Sequence, residues 1–225
     1  QKEIKFKKNK NFMIFIPSPF TSAICHFLLC LYNGVSIYTY QRVLFPKNLN
    51  KLIKKNKINY FGGPPLHSKW IVEDGKKENL EKLISSGDYL SEEVINKYLN
   101  KNLNFDFYYM YGLSEVGGRC CINLIKNNKY KSYVGKPLKY LKLKSKNNIE
   151  KEIIITSKYL FKGYYLNNKF YFRKGIDFKT GDIGKVKNNY LKLSGRASEI
   201  FKSSGIMVYP LMICKIMMKS KWFKN

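Results

Sequence analysis

Acidic residues are scarce in this 225-residue chain: 15 Asp and Glu stand against 42 Lys and Arg, a formal net charge of +27. Metal-binding and disulfide patterns are missing as well. The five cysteines (Cys25, Cys30, Cys120, Cys121, Cys214) include no C-x-x-C pair and no metal-ligand spacing, which speaks against a zinc ribbon or disulfide framework and for a reducing compartment. No secretory leader is visible, and the first residue is Gln rather than Met. No apolar run reads as a transmembrane segment. Residues 12–32 come nearest, but Pro17, Pro19 and His26 interrupt them and Asn33-Gly34 closes them. A buried strand, turn and helix is expected there, and a cytoplasmic location. Internal repeats and low-complexity linkers are lacking too.

What is present suffices for a core, since 44% of the residues are apolar. The positive charge has two readings: a surface for nucleic acid or anionic membrane, or a drift in composition toward Lys, Asn, Ile and Tyr. The lysine runs at 47–57, 126–131 and 139–146 are scattered and none is an Arg-rich stripe, which favours drift and argues against nucleic acid.

Hydrophobic pattern orders the chain. Phe12–Ile16 is a short apolar run stopped by Pro17, which predicts a buried strand. Residues 20–32, apolar nearly all round, predict a core helix ending at Gly34. Val35–Tyr40 alternates as a strand, Pro46 opens a helix with Leu49, Leu52 and Ile53 on one face, and Ile58–Phe61 begins another strand. Ser91, followed by Glu92 and Glu93, predicts a capped helix N-terminus. This alternation predicts an α/β layer. Beyond about residue 130 short strands dominate: 153–156, 170–172, and 184–186 with 190–193, the last pair turning at Asn188-Asn189. A β-rich barrel or twisted sheet is expected, then a hairpin over 199–210 turning at Ser203-Ser204-Gly205.

Three stretches carry functional signals: Tyr111-Gly112-Leu113-Ser114-Glu115, Thr180-Gly181-Asp182, and Gly195-Arg196-x5-Lys202-x2-Gly205-x4-Pro210. Each alone describes an ordinary turn. In this order and spacing they resemble the nucleotide-handling motifs of the adenylate-forming (AMP-binding) superfamily, which includes acyl-CoA and aryl-CoA ligases and the adenylation domains of peptide synthetases. The resemblance runs from about Phe12 to Pro210. It implies a fold that is α/β followed by a β-rich subdomain: the C-terminal part of the family's large domain plus the start of its small domain. The implied divisions are 1–130, an N-terminally truncated α/β subdomain; 131–194, β-rich; 195–198, a hinge at Ser198; and 199–225, the truncated small domain.

The same resemblance implies an AMP-forming ligase that activates a carboxylic acid with ATP and Mg²⁺ for transfer to CoA or a carrier-protein phosphopantetheine. Bringing one anion to another requires positioning and charge neutralisation more than a general base. By resemblance, Tyr111 stacks on adenine and Gly112 lets the backbone approach the nucleotide. Ser114 donates to the α-phosphate, and Glu115 is the metal ligand; these two are the catalytic pair. Asp182 accepts from the ribose hydroxyls, and Arg196 reaches ribose or phosphate. Ser86-Gly87-Asp88 resembles the turn bordering adenine, with Gly87 and Asp88 as nucleotide contacts. Glu152 and Gly163-Tyr164 resemble the stretch before the ribose-binding aspartate, and Ile16–Phe20 the strand end beside the acyl group. His26 and His67 match no catalytic position and are expected as hydrogen-bonded structural side chains.

Departures from the family pattern matter equally. Residues 1–11 contain no Ser/Thr/Gly-rich phosphate loop, and the late small-domain lysine has no counterpart, so an internal fragment or decayed copy with little turnover is expected. Amino-acid-activating relatives place an Asp near the position of Thr21; its absence favours a fatty or aryl acid, with Phe20 and Cys25 suiting an apolar pocket. Two rivals stay open: an inactive remnant with residual nucleotide binding, and a basic nucleic-acid-binding protein.

Overall fold

The computed structural model describes residues 4–40, 45–127, 129–144, 149–204 and 206–219. The chain divides into two compact units, Gln1–Gly135 and Lys136–Asn225.

The first unit is a doubly wound sheet. Its elements are β1 (Asn11–Ile14), α1 (Thr21–Asn33), β2 (Ser36–Thr39), α2 (Pro46–Lys55), β3 (Tyr60–Gly63), α3 (Pro65–Asp74), β4 (Lys82–Ser86), α4 (Glu92–Asn100), β5 (Asp106–Tyr111) and β6 (Cys121–Leu124). The strand order is β2-β1-β3-β4-β5-β6, parallel until β6 turns back against β5. By the general rule that such crossovers are right-handed, this strand order places α1 on one face and α2, α3 and α4, which pack in succession, on the other. Strands buried on both faces carry continuous apolar runs, as in Tyr60-Phe61 and Leu83-Ile84. The core on the α1 side gathers Phe12, Ile14, Ala23, Cys30, Tyr60 and Ile84, among others.

Local signals explain the helix ends. Pro46 occupies the first turn of α2, and the Ser91 hydroxyl accepts the Val94 N–H at 3.4 Å ahead of Glu92 and Glu93 in α4. Gly34 ends α1 at φ 63°. One expectation fails in α1. Only Ala23, His26 and Cys30 are buried, while Ile24, Phe27, Leu28, Leu31 and Tyr32 are exposed. An all-round apolar helix predicts burial on every side, and the described residues cover one side.

The second unit opens with the two-residue β7 (Lys136–Pro137). It continues through β8 (Lys142–Lys144), β9 (Lys151–Thr156), β10 (Gly163–Leu166), β11 (Lys169–Phe172), β12 (Asp177–Lys187), β13 (Tyr190–Arg196), β14 (Phe201–Ser203), β15 (Ile206–Val208) and α5 (Pro210–Lys219). Of the two expected forms, the structure is an open sheet, ordered β13-β12-β9-β8 and antiparallel throughout. Ile153, Ile155, Val186 and Leu191 form its buried side. The β12–β13 hairpin turns where predicted, with Asn188 and Asn189 both at positive φ. The pairs β10–β11 and β14–β15 are separate ribbons. Gly205, predicted at the last turn, lies outside the described residues, as does Lys146 of the third lysine run.

Candidate active site

In a parallel sheet the strand C-termini share one edge, where connecting loops are free to build a site. Here β4 and β5 run side by side in register, Ser86 opposite Met110, so Gly87-Asp88 and Tyr111–Glu115 leave the same edge. Tyr109, buried on β5, ties them together: its hydroxyl accepts the Leu90 N–H at 3.2 Å and donates to the Asp88 carbonyl at 3.4 Å. Gly87 holds φ 94°, a conformation that suits glycine, with open space where a side chain would stand. Asp88 is exposed, and its carboxylate accepts the Tyr89 N–H at 2.6 Å.

The segment after β5 is a tight, internally bonded loop. Ser114–Val116 form a single 3₁₀ turn, closed by Gly117 and Gly118 at φ 77° and 80°. The Gly118 N–H returns to the Leu113 carbonyl and the Cys120 N–H to the Tyr111 carbonyl, each at 2.8 Å. Gly112 acquires a structural reason that the motif does not supply: a Cβ there would run into the Gly118 carbonyl oxygen. The close approach at Gly112 is therefore made by the loop's own backbone.

The loop rests on α1. The Thr21 and Ser114 hydroxyls are hydrogen-bonded at 2.8 Å, and the Cys25 thiol donates to the Gly117 carbonyl at 2.9 Å. Burial raises the Cys25 pKa, with the Arg119 guanidinium opposing, which keeps the thiol protonated and able to donate. Thr21 and Cys25 are one helical turn apart, so both meet the loop. Thr21, Cys25 and Tyr109 are the positioning residues that sequence reading missed; the Thr21 and Cys25 bonds join residues about ninety positions apart. Glu115 sits half-buried in the 3₁₀ turn. Among the described residues no three His, Cys, Asp or Glu side chains cluster to hold a metal, and Glu115 is the carboxylate that the loop itself carries. A divalent cation that takes one protein carboxylate and fills its shell with phosphate and water fits that donor set; one needing an all-protein cage does not.

A recess of about 500 Å³ beside the end of β1 is lined by Ile16, Pro17, Ala23, Phe27 and Leu28 among others. Ile24, Phe27 and Leu28 line it from α1, next to the stripe that carries Thr21 and Cys25, and neither of those two residues is among its lining. Phe20 is exposed.

In the second unit, Asp182 and Arg196 face each other across the β12–β13 register. The Arg196 Nε donates to Asp182 Oδ1 at 3.0 Å; the carboxylate is buried and the guanidinium half-exposed. A chain of bonds fixes the turn ahead of Asp182. Thr180 Oγ1 donates to the Ile153 carbonyl at 2.8 Å and accepts the Asp182 N–H at 3.1 Å. The Gly181 N–H, at φ 71°, donates to Glu152 Oε1 at 3.1 Å. Glu152, a weak match in the sequence, thus has a defined structural task.

The histidines differ from expectation. His26 Nδ1 meets the Ser22 carbonyl at 2.6 Å, but Nε2 is buried with no hydrogen-bond partner among the described residues. His67 packs between Phe15 and Trp70, its Nδ1 likewise buried and unbonded. Neither ring has both nitrogens hydrogen-bonded among the described residues, and each packs against aromatic rings.

Comparison with known proteins agrees with this architecture. The sequence matches the AMP-binding enzyme family over residues 1–165. It is 26% identical over 229 residues to the Staphylococcus aureus (strain COL) "Putative long chain fatty acid-CoA ligase VraA", covering 97% of this chain and 48% of the relative. The chain thus spans about half the length of the curated relatives it matches. Its fold superposes on Bacillus subtilis o-succinylbenzoate CoA synthetase (MenE) bound to the acyl-adenylate intermediate OSB-AMP (TM-score 0.84, 16% identity, 97% of this chain, 47% of the other). It also superposes on the anthranilate CoA ligase AuaEII with anthranoyl-AMP (TM-score 0.80, 16% identity, 96% and 45%). With nearly three-quarters of its length matched by one family and the loop architecture in place, the chain belongs to the AMP-binding enzyme family.

Proposed function

We propose that this chain is the nucleotide-handling portion of an AMP-forming ligase that joins a carboxylic acid, fatty or aryl, to AMP for transfer to a thiol. In that reaction the carboxylate oxygen attacks the α-phosphorus of ATP, an O–P bond forms, and pyrophosphate leaves. A thiol, of CoA or of a carrier protein's phosphopantetheine, then takes the acyl group and AMP departs. The observation that carries the reading is the rigid Tyr111–Gly118 loop, held against α1 through Thr21 and Cys25 and sharing its sheet edge with Gly87-Asp88.

Each residue has a role suited to its place. The Tyr111 ring, half-buried at the end of β5, is a flat rigid platform for adenine. With Thr21 donating, the Ser114 proton is left for a phosphate oxygen. Glu115 would hold Mg²⁺, which supplies charge neutralisation between the two anions. Asp182, on its braced turn, would accept from the ribose hydroxyls, with Arg196 shared between that carboxylate and the nucleotide. Residues 195–198 are read as a hinge, since a 3₁₀ turn at Ala197–Glu199 follows Gly195 at φ 151°. The absence of an Asp at Thr21 favours a plain carboxylic acid, and a cytoplasmic location accords with free thiols.

Calorimetric titration with AMP and with Mg-ATP tests this. Saturable AMP binding is expected, abolished in Asp182→Ala, and Mg-ATP affinity is expected to fall in Glu115→Ala while AMP binding persists. A well-folded chain that takes up neither nucleotide would overturn the proposal.

A further inference from the structure

Beyond its first residues, Gly163-Tyr164, the ribbon β10–β11 carries none of the residues given a role at the nucleotide, and its composition is unusual. Its register pairs Tyr164 with Tyr171 and Tyr165 with Phe170, around a two-residue turn with Asn167 and Asn168 at φ 49° and 59°. Directly paired residues share a face. Tyr164, Leu166 and Tyr171 therefore lie on one side, and Tyr165, Phe170 and Phe172 on the other. Both sides are open: Tyr171 is 54% exposed on the first, Tyr165 65% and Phe172 75% on the second. An isolated two-stranded ribbon showing aromatic rings to water on both faces is an unfavourable arrangement in water, and exposed apolar patches of this kind mark interaction surfaces.

The base of the ribbon is firm. The Phe161 ring meets Tyr164 at 4.7 Å and Phe178 at 5.5 Å. Arg173 donates to the carbonyls of Asp177 at 2.9 Å and Lys174 at 3.2 Å. The charged residues of the ribbon and its flanking sequence, 153–176, are all basic. No acidic residue occurs between Glu152 and Asp177, while Lys158, Lys162, Lys169 and Lys174 fall in that interval.

We propose that this ribbon docks the protein on an anionic lipid surface. A rigid protein partner covers one face of a ribbon, whereas the boundary between headgroups and acyl chains closes around both. Tyrosine and phenylalanine rings suit that boundary, and lysine stems lie along it while their ammonium groups reach anionic headgroups. The polar Asn167-Asn168 tip keeps the ribbon at headgroup depth, in accord with the finding that no described helix is long and apolar enough to cross a membrane. Single-stranded nucleic acid fits less well. Phe170 and Phe172 pack on each other at 4.4 Å and 43°, filling the gap a stacked base would need.

The test is co-sedimentation of the whole chain with phosphatidylcholine vesicles, with and without about 30% phosphatidylserine. Binding to the anionic vesicles is expected. It should fall about tenfold in the triple variant Tyr165→Ser/Phe170→Ser/Phe172→Ser, and by a similar factor in Lys162→Gln/Lys169→Gln/Lys174→Gln. Phe172→Trp, compared with the unchanged chain so that the native Trp70 and Trp222 signal is subtracted, should show added quenching by lipids brominated on their acyl chains, which keeps the test valid should a triple variant misfold. Unquenched Trp at position 172, or vesicle binding unaltered in a folded aromatic variant, would overturn the proposal. So would single-stranded RNA binding without vesicle binding, or a ribbon-dependent self-association without vesicle binding.

Discussion

His26 is enclosed on every side: the Phe12 ring meets it edge-on at 5.1 Å, and a Cβ on Gly62 would stand 3.0 Å from its Nε2. Burial first, and the Arg119 guanidinium second, lower its pKa from 6.5 to about 3. The unfolded chain therefore takes up a proton near pH 6.5 that the folded chain refuses until about pH 3. Stability is full above the ordinary histidine value and falls with pH below it. Between about pH 7.5 and 5.5 this one group removes roughly 1.4 kcal/mol. His67 shifts in the same direction by burial, so the wild-type loss contains both. Urea unfolding of wild type and His26→Leu at the two pH values isolates the His26 share, which should vanish in the variant whatever its absolute stability. Equal losses in both would exclude His26 as the source. At this scale the sequence shows chemical type and hides contact. Tyr111, Ser114, Glu115 and Asp182 stand out by motif. The Thr21–Ser114 and Cys25–Gly117 bonds do not, because nothing local to either partner announces a contact so distant in the chain.

Elements whose signals are local were readable, and those defined by long-range packing were not. The Ser91 cap, the Pro46 start, the Gly34 stop and the Asn188-Asn189 turn each follow from the conformational preference of one or two residues. Helix α3 escaped notice because its polar and apolar residues show little helical stripe, and Ser68, Ile71 and Val72 are buried through the sheet and the neighbouring α2 and α4. The open face of α1 escaped for the opposite reason: apolar composition says that a side chain resists water, without saying what covers it. The Thr180–Asp182 turn gives an element-scale prediction. Glu152→Ala removes the acceptor for the Gly181 N–H, a charge-assisted bond of about 1.5–3 kcal/mol. AMP affinity should fall about tenfold by calorimetry, as the Asp182 carboxylate loses its fixed position. Glu152→Gln keeps an oxygen in place and should retain most of the affinity. If Glu152→Ala binds AMP as wild type does, the brace has no part in nucleotide binding.

For the molecule as a whole, the α/β layer and the β-rich second unit were visible in the change of texture along the sequence, while strand order was not, since parallel pairing leaves no mark between adjacent residues. The charge of +27 is the property most easily misread at this scale. It belongs to lysines spread over both units, and described ion pairs such as Lys97–Glu73 and Lys144–Asp177 engage only some of them. Such a surface attracts any polyanion through counterion release, and the attraction decays steeply with salt. Binding of single-stranded RNA should therefore fall by about 10³ or more between 50 and 200 mM salt and show no preference for sequence. AMP carries at most two charges, so its affinity should follow salt with a log–log slope no steeper than about −2. Filter binding for RNA and calorimetry for AMP, run across the same salt series, separate the two. RNA binding that survives physiological salt and distinguishes sequences would mean that the lysines form a built site. A steep RNA slope beside a shallow AMP slope would mean that the charge is a property of composition and the nucleotide site a property of the fold.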